Sequence, residues 1–148
     1  MGCLNSKPAE AEPTKTAVKV KESKETPDEL ALQQLHSAVR WNKVDEVSAM
    51  LTKGNDDELA KATANKKDPK NGNTALHIAA QNGHFDMCKM LVANGADVDA
   101  QNAGGNTPLH MVTSYDIDDV KAYLDEQGAN GTVKNQEGFQ ARYGLSGE

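Results

Sequence analysis

The residues with the clearest capacity for chemistry stand in the first seven positions of the chain. They read Met1-Gly2-Cys3-Leu4-Asn5-Ser6-Lys7, which fits the M-G-x-x-x-[ST] signal for N-myristoylation of Gly2 after Met1 is removed. One myristoyl chain binds a bilayer with a constant of only about 10⁴ M⁻¹, so stable anchoring needs a second signal. Cys3 stands beside Gly2 and would meet the bilayer. We therefore predict that residues 1–7 are a lipid-anchor signal, with Gly2 N-myristoylated and Cys3 S-palmitoylated.

This opening run resembles the N-termini of Src-family kinases and of several G-protein α subunits, families that carry such acyl groups. The resemblance covers these seven residues, and its alternative is a chance match with an idle cysteine. It implies that the lipid bilayer is one partner of the chain, reached through acyl groups. The expected location is then the cytosolic face of a membrane, either the plasma membrane or an endomembrane.

Residues 8–25 form a segment of different composition, rich in Ala, Glu, Lys, Thr and Pro, with Val18 and Val20 as its only larger apolar residues. Such a segment cannot bury enough apolar surface to offset the entropy lost on ordering. We predict a disordered linker here. Through Pro27 the chain carries five lysines and four glutamates, net +1, which is too weak a charge to serve as the second membrane signal.

The whole chain has 148 residues and a net charge of −6. The length suggests one folded unit, and the acidic balance argues against broad nucleic-acid binding, which needs a basic surface. Its two cysteines, Cys3 and Cys88, do not make a disulfide framework and are typical of a reducing, cytosolic setting. No run of about 18 apolar residues offers a transmembrane helix. We expect a monomer.

The middle of the chain repeats itself. The run Gly72-Asn73-Thr74-Ala75-Leu76-His77 returns as Gly105-Asn106-Thr107-Pro108-Leu109-His110, an offset of 105 − 72 = 33 residues. A fixed period of about 20–50 residues predicts a solenoid, in which each unit buries its apolar face against its neighbours. Gly83 stands where the chain must turn between two helices. Its counterparts, Asn42 and Asp116, are the non-glycine types that best tolerate a positive φ.

An earlier and more divergent copy precedes these two. Thr26-Pro27-Asp28-Glu29 predicts a helix that begins with a capping box. Leu35-His36-x-Ala38 then matches Leu76-His77-x-Ala79 at an offset of 76 − 35 = 41, which is eight residues more than the later period. The extra residues fall in 55–68. Acidic residues at the start of that stretch and lysines at its end favour a short additional helix.

Residues 72–100 resemble the ankyrin repeat, whose pattern includes G-x-T-P-L-H-x-A-A and L-L-x-x-G-A, and the resemblance extends over about residues 27–145. It implies an all-α ankyrin-repeat solenoid of helix-turn-helix units joined by β-hairpin-like loops. The implied domain is 26–148, made of three repeats and a truncated C-terminal cap. The repeats are about 26–68 with the loop insertion, 69–101 and 102–134, and the partial fourth copy is 135–148.

Histidines invite a catalytic or metal-binding interpretation, but the ankyrin resemblance implies that His77 and His110 hydrogen-bond to the backbone of neighbouring loops. His84 and Cys88 are four residues apart on one predicted helix and could contact one metal ion. Zinc needs three or four ligands, and Cys88 takes a core position of the repeat. The sequence holds no Gly-rich phosphate loop, ligand cluster or nucleophile motif. We predict no enzyme, no metal and no cofactor.

Ankyrin repeats usually bind protein partners through loop tips and the inner helical face, so the resemblance implies which residues face a partner. Trp41, Tyr115 and Phe139 stand out, because aromatics are only 4% of the chain and binding hot spots favour Trp and Tyr. For Phe139, packing under the cap is an equal alternative. The predicted partner-binding residues are Arg40, Trp41, Lys70, Asn71, Asn73, Gln81, Asn82, Asn106, Ser114, Tyr115 and Phe139.

The expected function is therefore that of a membrane-tethered ankyrin-repeat adaptor, which mediates protein–protein interaction with a partner that the sequence does not identify. One alternative is a regulatory or inhibitory subunit that masks a site on its partner. Another is an untethered soluble scaffold.

Overall fold

The computed structural model describes residues 26–53 and 55–145. The predicted lipid-anchor signal and the predicted linker lie outside the described residues. Chain contacts divide the protein into two units, Met1–Leu30 and Ala31–Glu148. Seven α-helices and one 3-10 helix occur in the described part. They are α1 Pro27–Arg40, α2 Val44–Leu51, α3 Asp57–Ala64, α4 Ala75–Gln81, α5 Phe85–Ala93, α6 Pro108–Ser114, α7 Asp118–Glu126 and the 3-10 helix Ala141–Tyr143.

These helices form the repeat solenoid that the sequence predicts. In the second and third repeats an inner helix, α4 or α6, packs against its outer partner, α5 or α7, and also against the inner helix of the next repeat. Leu76, Leu91, Leu109 and Leu124 are at most 1% exposed and belong to one continuous core. Within the described residues there is no β-strand, and none of the helices is long and apolar enough to cross a bilayer.

The turns between inner and outer helices take the backbone conformation that the sequence predicts. Gly83 has φ +71°, and its counterparts Asn42 and Asp116 have φ +55° and +53°. A positive φ is costly for most side chains but is tolerated by Asn and Asp. The three turns are therefore conformationally equivalent although only one of them contains glycine.

The insertion in the first repeat forms the additional helix, α3. Asp56 caps its N-terminus, since the carboxylate accepts hydrogen bonds from the amides of Glu58 and Leu59 at 3.0 and 3.4 Å. After α3, the side chain of Asn65 donates to the Gly95 carbonyl (2.8 Å) and accepts from the Asp97 amide (2.7 Å). These two bonds fasten the inserted helix to the end of the second repeat.

One threonine and one histidine join the inner helix of the second repeat, and likewise that of the third, to the repeat that follows. In α6, the Thr107 amide donates to Nδ1 of His110 (3.0 Å), and Nε2 of His110 lies 3.0 Å from the Phe139 carbonyl. In α4, the Thr74 amide and His77 make the same arrangement, with Nε2 2.8 Å from the Asn106 carbonyl. Because Nδ1 accepts, the ring proton sits on Nε2 and donates to that carbonyl. The histidines thus cap their own helix and bind the following loop.

Burial disfavours the doubly protonated, charged form of these two histidine rings. Loss of hydration lowers the pKa of His77 to about 4, although the bond to the Asn106 carbonyl opposes the shift. The pKa of His110 is also lowered, mainly by burial. The neutral Nε2–H form is the one that bridges two repeats.

The two ends of the described stack lack this arrangement. In the first repeat His36 lies in the middle of α1, its pKa is lowered by burial, and its buried Nε2 has no hydrogen-bond partner among the described residues. In the fourth copy Gln140 and Tyr143 stand where Thr107 and His110 stand in the third. Without the threonine–histidine pair this copy forms only a single 3-10 turn, which Gly144 ends at φ +82°.

We expect Thr107→Ala to lower the free energy of unfolding by about 1–2 kcal/mol, because the cap of α6 loses its side chain. Thr113→Ala in the same helix is the matched control, since its buried hydroxyl has no hydrogen-bond partner in the described structure. That change should leave stability unchanged or raise it. Urea denaturation checks both variants, and equal destabilisation by the two would contradict the capping role.

Stability should also depend on pH through His77. The unfolded state binds a proton below pH about 6.5, whereas the folded state does so only near its pKa of about 4. Stability therefore falls as the pH drops through this window and levels off below it, by at most about 3 kcal/mol. Urea denaturation from pH 4 to 7 measures this contribution as the difference between wild type and His77→Gln. Parallel curves for the two proteins would contradict it.

Candidate partner-binding surface

The structure divides the predicted partner-binding residues between the two ends of the inner helices. Arg40, Trp41, Gln81, Asn82, Ser114 and Tyr115 lie where each inner helix turns into its outer partner; we call them the turn-side group. Lys70, Asn71, Asn73, Asn106 and Phe139 lie in the hairpin-like loops before the inner helices; we call them the hairpin group. A seven-residue helix is about 10 Å long, so the two groups border opposite sides of a narrow face.

The ankyrin resemblance implies that the inner helical face also binds a partner, but α4 and α6 expose little of that face between the two groups. From Ala75 to Ala80 every residue of α4 is buried, and the same holds from Pro108 to Val112 of α6. Only the C-terminal ends, at Gln81 and Ser114, are exposed. The exposed surface on this side of α4 and α6 therefore lies mainly at the turns and the loops.

The turn-side group contains the two most exposed aromatic side chains of the described residues. Trp41 is 72% exposed and Tyr115 is 53% exposed. By the offsets of 41 and 33 residues, Trp41, Asn82 and Tyr115 occupy equivalent positions in the three repeats. Gln81 Nε2 donates to the Tyr115 hydroxyl oxygen at 3.3 Å, which links the second repeat to the third. The exposure of these aromatics has no packing explanation in the described structure.

Two other members of this group have structural partners. The Ser114 hydroxyl oxygen accepts a hydrogen bond from the Leu145 amide at 2.6 Å, so it holds the fourth copy against α6. Asn82 Nδ2 donates to the Ile78 carbonyl at 2.7 Å and satisfies the end of α4. The Arg40 carbonyl lies 3.0 Å from Nε2 of His84. The exposed side chain of Arg40 still lies beside Trp41 at the surface.

The hairpin group is held by a ladder of asparagines. Asn102 donates to the side-chain oxygen of Asn73, and Asn135 donates to that of Asn106, both at 2.9 Å. Asn102 and Asn135 are themselves equivalent, and the side-chain oxygen of each accepts amide hydrogens of its own loop. The sequence analysis did not single them out. Their 33-residue spacing, shared with the Thr–His pairs, is the signal that finds them.

The remaining hairpin residues differ in exposure. Lys70 and Asn71 are exposed, and the Asn71 side chain accepts from the Asn73 amide at 2.9 Å. Phe139 is half-buried, its carbonyl is the acceptor of His110, and its amide donates to Asn135. The backbone of Phe139 therefore belongs to the stack, while part of its ring reaches the surface.

The candidate metal ligands do not form a site. Cys88 is fully buried in the core, and burial raises the pKa of its thiol to about 12, so a thiolate ligand is unfavourable. His84 is committed to the Arg40 carbonyl. In the part of the chain that the structure describes, no three His, Cys, Asp or Glu residues are grouped to hold a metal ion.

Comparison with known proteins agrees with this geometry. The chain is 37% identical over 67 residues to human protein phosphatase 1 regulatory subunit 27, covering 45% of this chain and 44% of that protein. It is 40% identical over 66 residues to human SH3 and multiple ankyrin repeat domains protein 2, covering 45% and 4%. It is 30% identical over 107 residues to the chicken nuclear factor NF-kappa-B p105 subunit, covering 72% and 10%. The chain thus spans less than half of each relative.

A family model described as ankyrin repeats in three copies matches residues 35–135. That range contains both Thr–His pairs, the three positive-φ turns and the inserted helix α3. Ankyrin repeats are protein-interaction modules, in keeping with an exposed surface of turns and loops. The chain belongs to the ankyrin-repeat family.

Proposed function

We propose that this protein is a membrane-tethered adaptor that binds a protein partner at the cytosolic face of a membrane. The observation that carries the binding role is the exposure of Trp41 and Tyr115 at equivalent positions, two repeats apart. Trp and Tyr are the residue types that most often dominate binding energy at protein interfaces. Their partner covers the turn-side group.

The tethering role rests on Gly2 and Cys3. Myristate on Gly2 and palmitate on Cys3 together supply the two signals that stable anchoring needs. Acylation of Gly2 requires that Met1 is the initiator methionine and is removed. A tethered domain gains local concentration near partners that share its membrane, so a modest affinity suffices for binding. Residues after Pro27 carry a net charge of −7, and an anionic leaflet repels such a domain.

A second candidate function is that of a regulatory subunit, which masks a site on the protein that it binds. It is favoured by the similarity to protein phosphatase 1 regulatory subunit 27, of which this chain covers 44%. The two functions differ in what happens to the partner. An enzyme that is captured by the chain and loses activity on binding supports the regulatory function, whereas unchanged activity supports the adaptor.

The tether predicts a mass and a location. Intact mass spectrometry of the protein isolated from cells should show the loss of Met1 and the addition of one myristoyl and one palmitoyl group. Gly2→Ala removes the acceptor amine for myristate and should release the protein from the membrane fraction. Cys3→Ser should keep the myristate but weaken membrane binding. An unmodified Gly2 in the native protein would rule out the tether and leave the untethered scaffold.

The binding surface predicts a loss of partners on truncation of its aromatics. Trp41→Ala and Tyr115→Ala should each weaken partner binding by about fivefold or more, as expected when a hot-spot side chain costs over about 1 kcal/mol. Leu59→Ala is the matched control, because Leu59 is 52% exposed on α3, away from the turn-side group. Proximity labelling of the four proteins in cells measures the effect. A neighbour list that the two aromatic variants share with wild type would contradict the surface.

A further inference from the structure

The sequence contains four Asn-Gly pairs, and one of them differs from the others in its hydrogen bonds. The pairs are Asn71-Gly72, Asn82-Gly83, Asn94-Gly95 and Asn130-Gly131. Asparagine is most prone to deamidation when glycine follows it, because glycine has no Cβ to hinder attack of its amide nitrogen on the asparagine side chain. The reaction therefore depends on whether that nitrogen is engaged and on what contacts the side-chain carbonyl.

The glycine amide is already a hydrogen-bond donor in the first three pairs. In each of them it donates to a backbone carbonyl three or four residues earlier: Gly72 to Asp68 (2.7 Å), Gly83 to Ala80 (3.1 Å) and Gly95 to Val92 (2.9 Å). Such a bond must break before the nitrogen can attack, which slows the reaction by about twofold to tenfold for a typical hydrogen bond. The Gly131 amide makes no hydrogen bond to a described residue, so its nitrogen carries no such cost.

The side-chain carbonyl of Asn130 accepts two hydrogen bonds from one residue. The Thr132 amide donates to Oδ1 at 2.9 Å, and the Thr132 hydroxyl donates to the same oxygen at 2.6 Å. Attack on the side-chain carbon places negative charge on Oδ1, and donors aimed at developing charge stabilise the transition state. Asn130 and Thr132 are both exposed, so water and hydroxide reach the site.

The side chains of the other three asparagines are held differently. Asn71 Oδ1 accepts a single amide hydrogen, that of Asn73 at 2.9 Å. Asn82 and Asn94 instead donate through Nδ2, each to a carbonyl of the helix that it follows, at 2.7 and 2.8 Å. Asn130 is thus the one asparagine of the four whose carbonyl has two donors and whose following amide is unengaged within the described structure.

From these contacts we infer that Asn130 is a modification site, at which the chain converts asparagine to aspartate and isoaspartate ahead of its other Asn-Gly pairs. Hydroxide takes the proton of the Gly131 amide, whose nitrogen attacks the side-chain carbon of Asn130. A nitrogen–carbon bond forms, and the bond to the side-chain nitrogen breaks. That nitrogen takes a proton from water and leaves as ammonia, which regenerates hydroxide. Water then opens the cyclic succinimide at either carbonyl, giving aspartate or isoaspartate.

The site lies where the third repeat meets the fourth copy. The Asn130 amide donates to the Asp99 carboxylate at 2.8 Å, and the Gly131 carbonyl accepts from the Arg142 amide at 3.0 Å. Isoaspartate lengthens the main chain between residues 130 and 131 by a methylene and adds a negative charge to the residue that binds Asp99. Both changes disturb these two bonds. Conversion to isoaspartate therefore loosens the fourth copy from the stack.

The test follows deamidation of the full-length protein over time in mildly alkaline buffer, with and without urea. Trypsin, which cleaves after Lys and Arg, releases residues 122–134, in which Asn130 is the only asparagine. Mass spectrometry of the digest then gives the rate at each Asn-Gly pair. In the folded protein, Asn130 should react at least about fivefold faster than any of the other three, the equivalent of one hydrogen bond. In urea the four rates should become similar.

Two variants isolate the role of the threonine hydroxyl. Thr132→Val removes the hydroxyl donor, keeps the amide donor and preserves the shape of the side chain. It should slow the reaction of Asn130 by about twofold to tenfold in the folded protein. Thr132→Ser is the matched control, because it keeps the hydroxyl and should react at the wild-type rate.

Three results would overturn the inference. They are a faster reaction at any other Asn-Gly pair of the folded protein, an equal preference for Asn130 in urea, and equal rates in the two Thr132 variants.

Hydrogen exchange checks the effect on the fourth copy. The isoaspartyl form is separated by chromatography and compared with Asn130→Asp, which adds the same charge but leaves the main chain unchanged. The Arg142 amide should exchange at least about fivefold faster in the isoaspartyl form, as expected when its hydrogen bond to Gly131 is weakened. Equal exchange in the two proteins would contradict the loosening of this copy.

Discussion

The structure depends on a neutral histidine that serves two repeats at once. Nδ1 of His77 and of His110 accepts a hydrogen bond from the amide of the threonine at the start of its helix. The Nε2–H group of each ring donates a hydrogen bond to a carbonyl 29 residues later. Hydration of the ring is lost in the process, and the hydrogen bonds at both nitrogens offset that loss. The start of each inner helix in the second and third repeats is thereby tied to the loop that begins the next repeat.

This arrangement decides which side chains remain for function. Because α4 and α6 are buried nearly to their ends, the exposed positions between the second and third repeats on this face lie at the turns and in the loops. The loops are further fixed by the Asn102 and Asn135 ladder, whereas the turns carry the exposed side chains of Trp41 and Tyr115. A repeat of about 10 Å imposed by helix packing thus sets the interval at which Trp41, Asn82 and Tyr115 are presented.

The fold was predictable because the periodic residues have structural roles that do not depend on the partner. The 33-residue period, the turn at Gly83 with its Asn42 and Asp116 counterparts, and the additional helix in 55–68 all follow from capping, φ preference and helix charge. The candidate site was less predictable. Which polar side chains are engaged, as Ser114 is by Leu145, depends on contacts 31 residues apart that no local pattern encodes. The N-terminal signal lies outside the described residues, and its modification remains a proposal.

The measurement that tests this account most directly is the ¹⁵N NMR spectrum of the imidazole rings in the folded protein. Long-range ¹H–¹⁵N correlations distinguish the protonated from the unprotonated ring nitrogen of each histidine. The account predicts that His77 and His110 are neutral at pH 7, with the proton on Nε2 and an unprotonated Nδ1. A ring of either residue that is doubly protonated at that pH, or that carries its proton on Nδ1, would contradict the role of the histidines in joining the repeats.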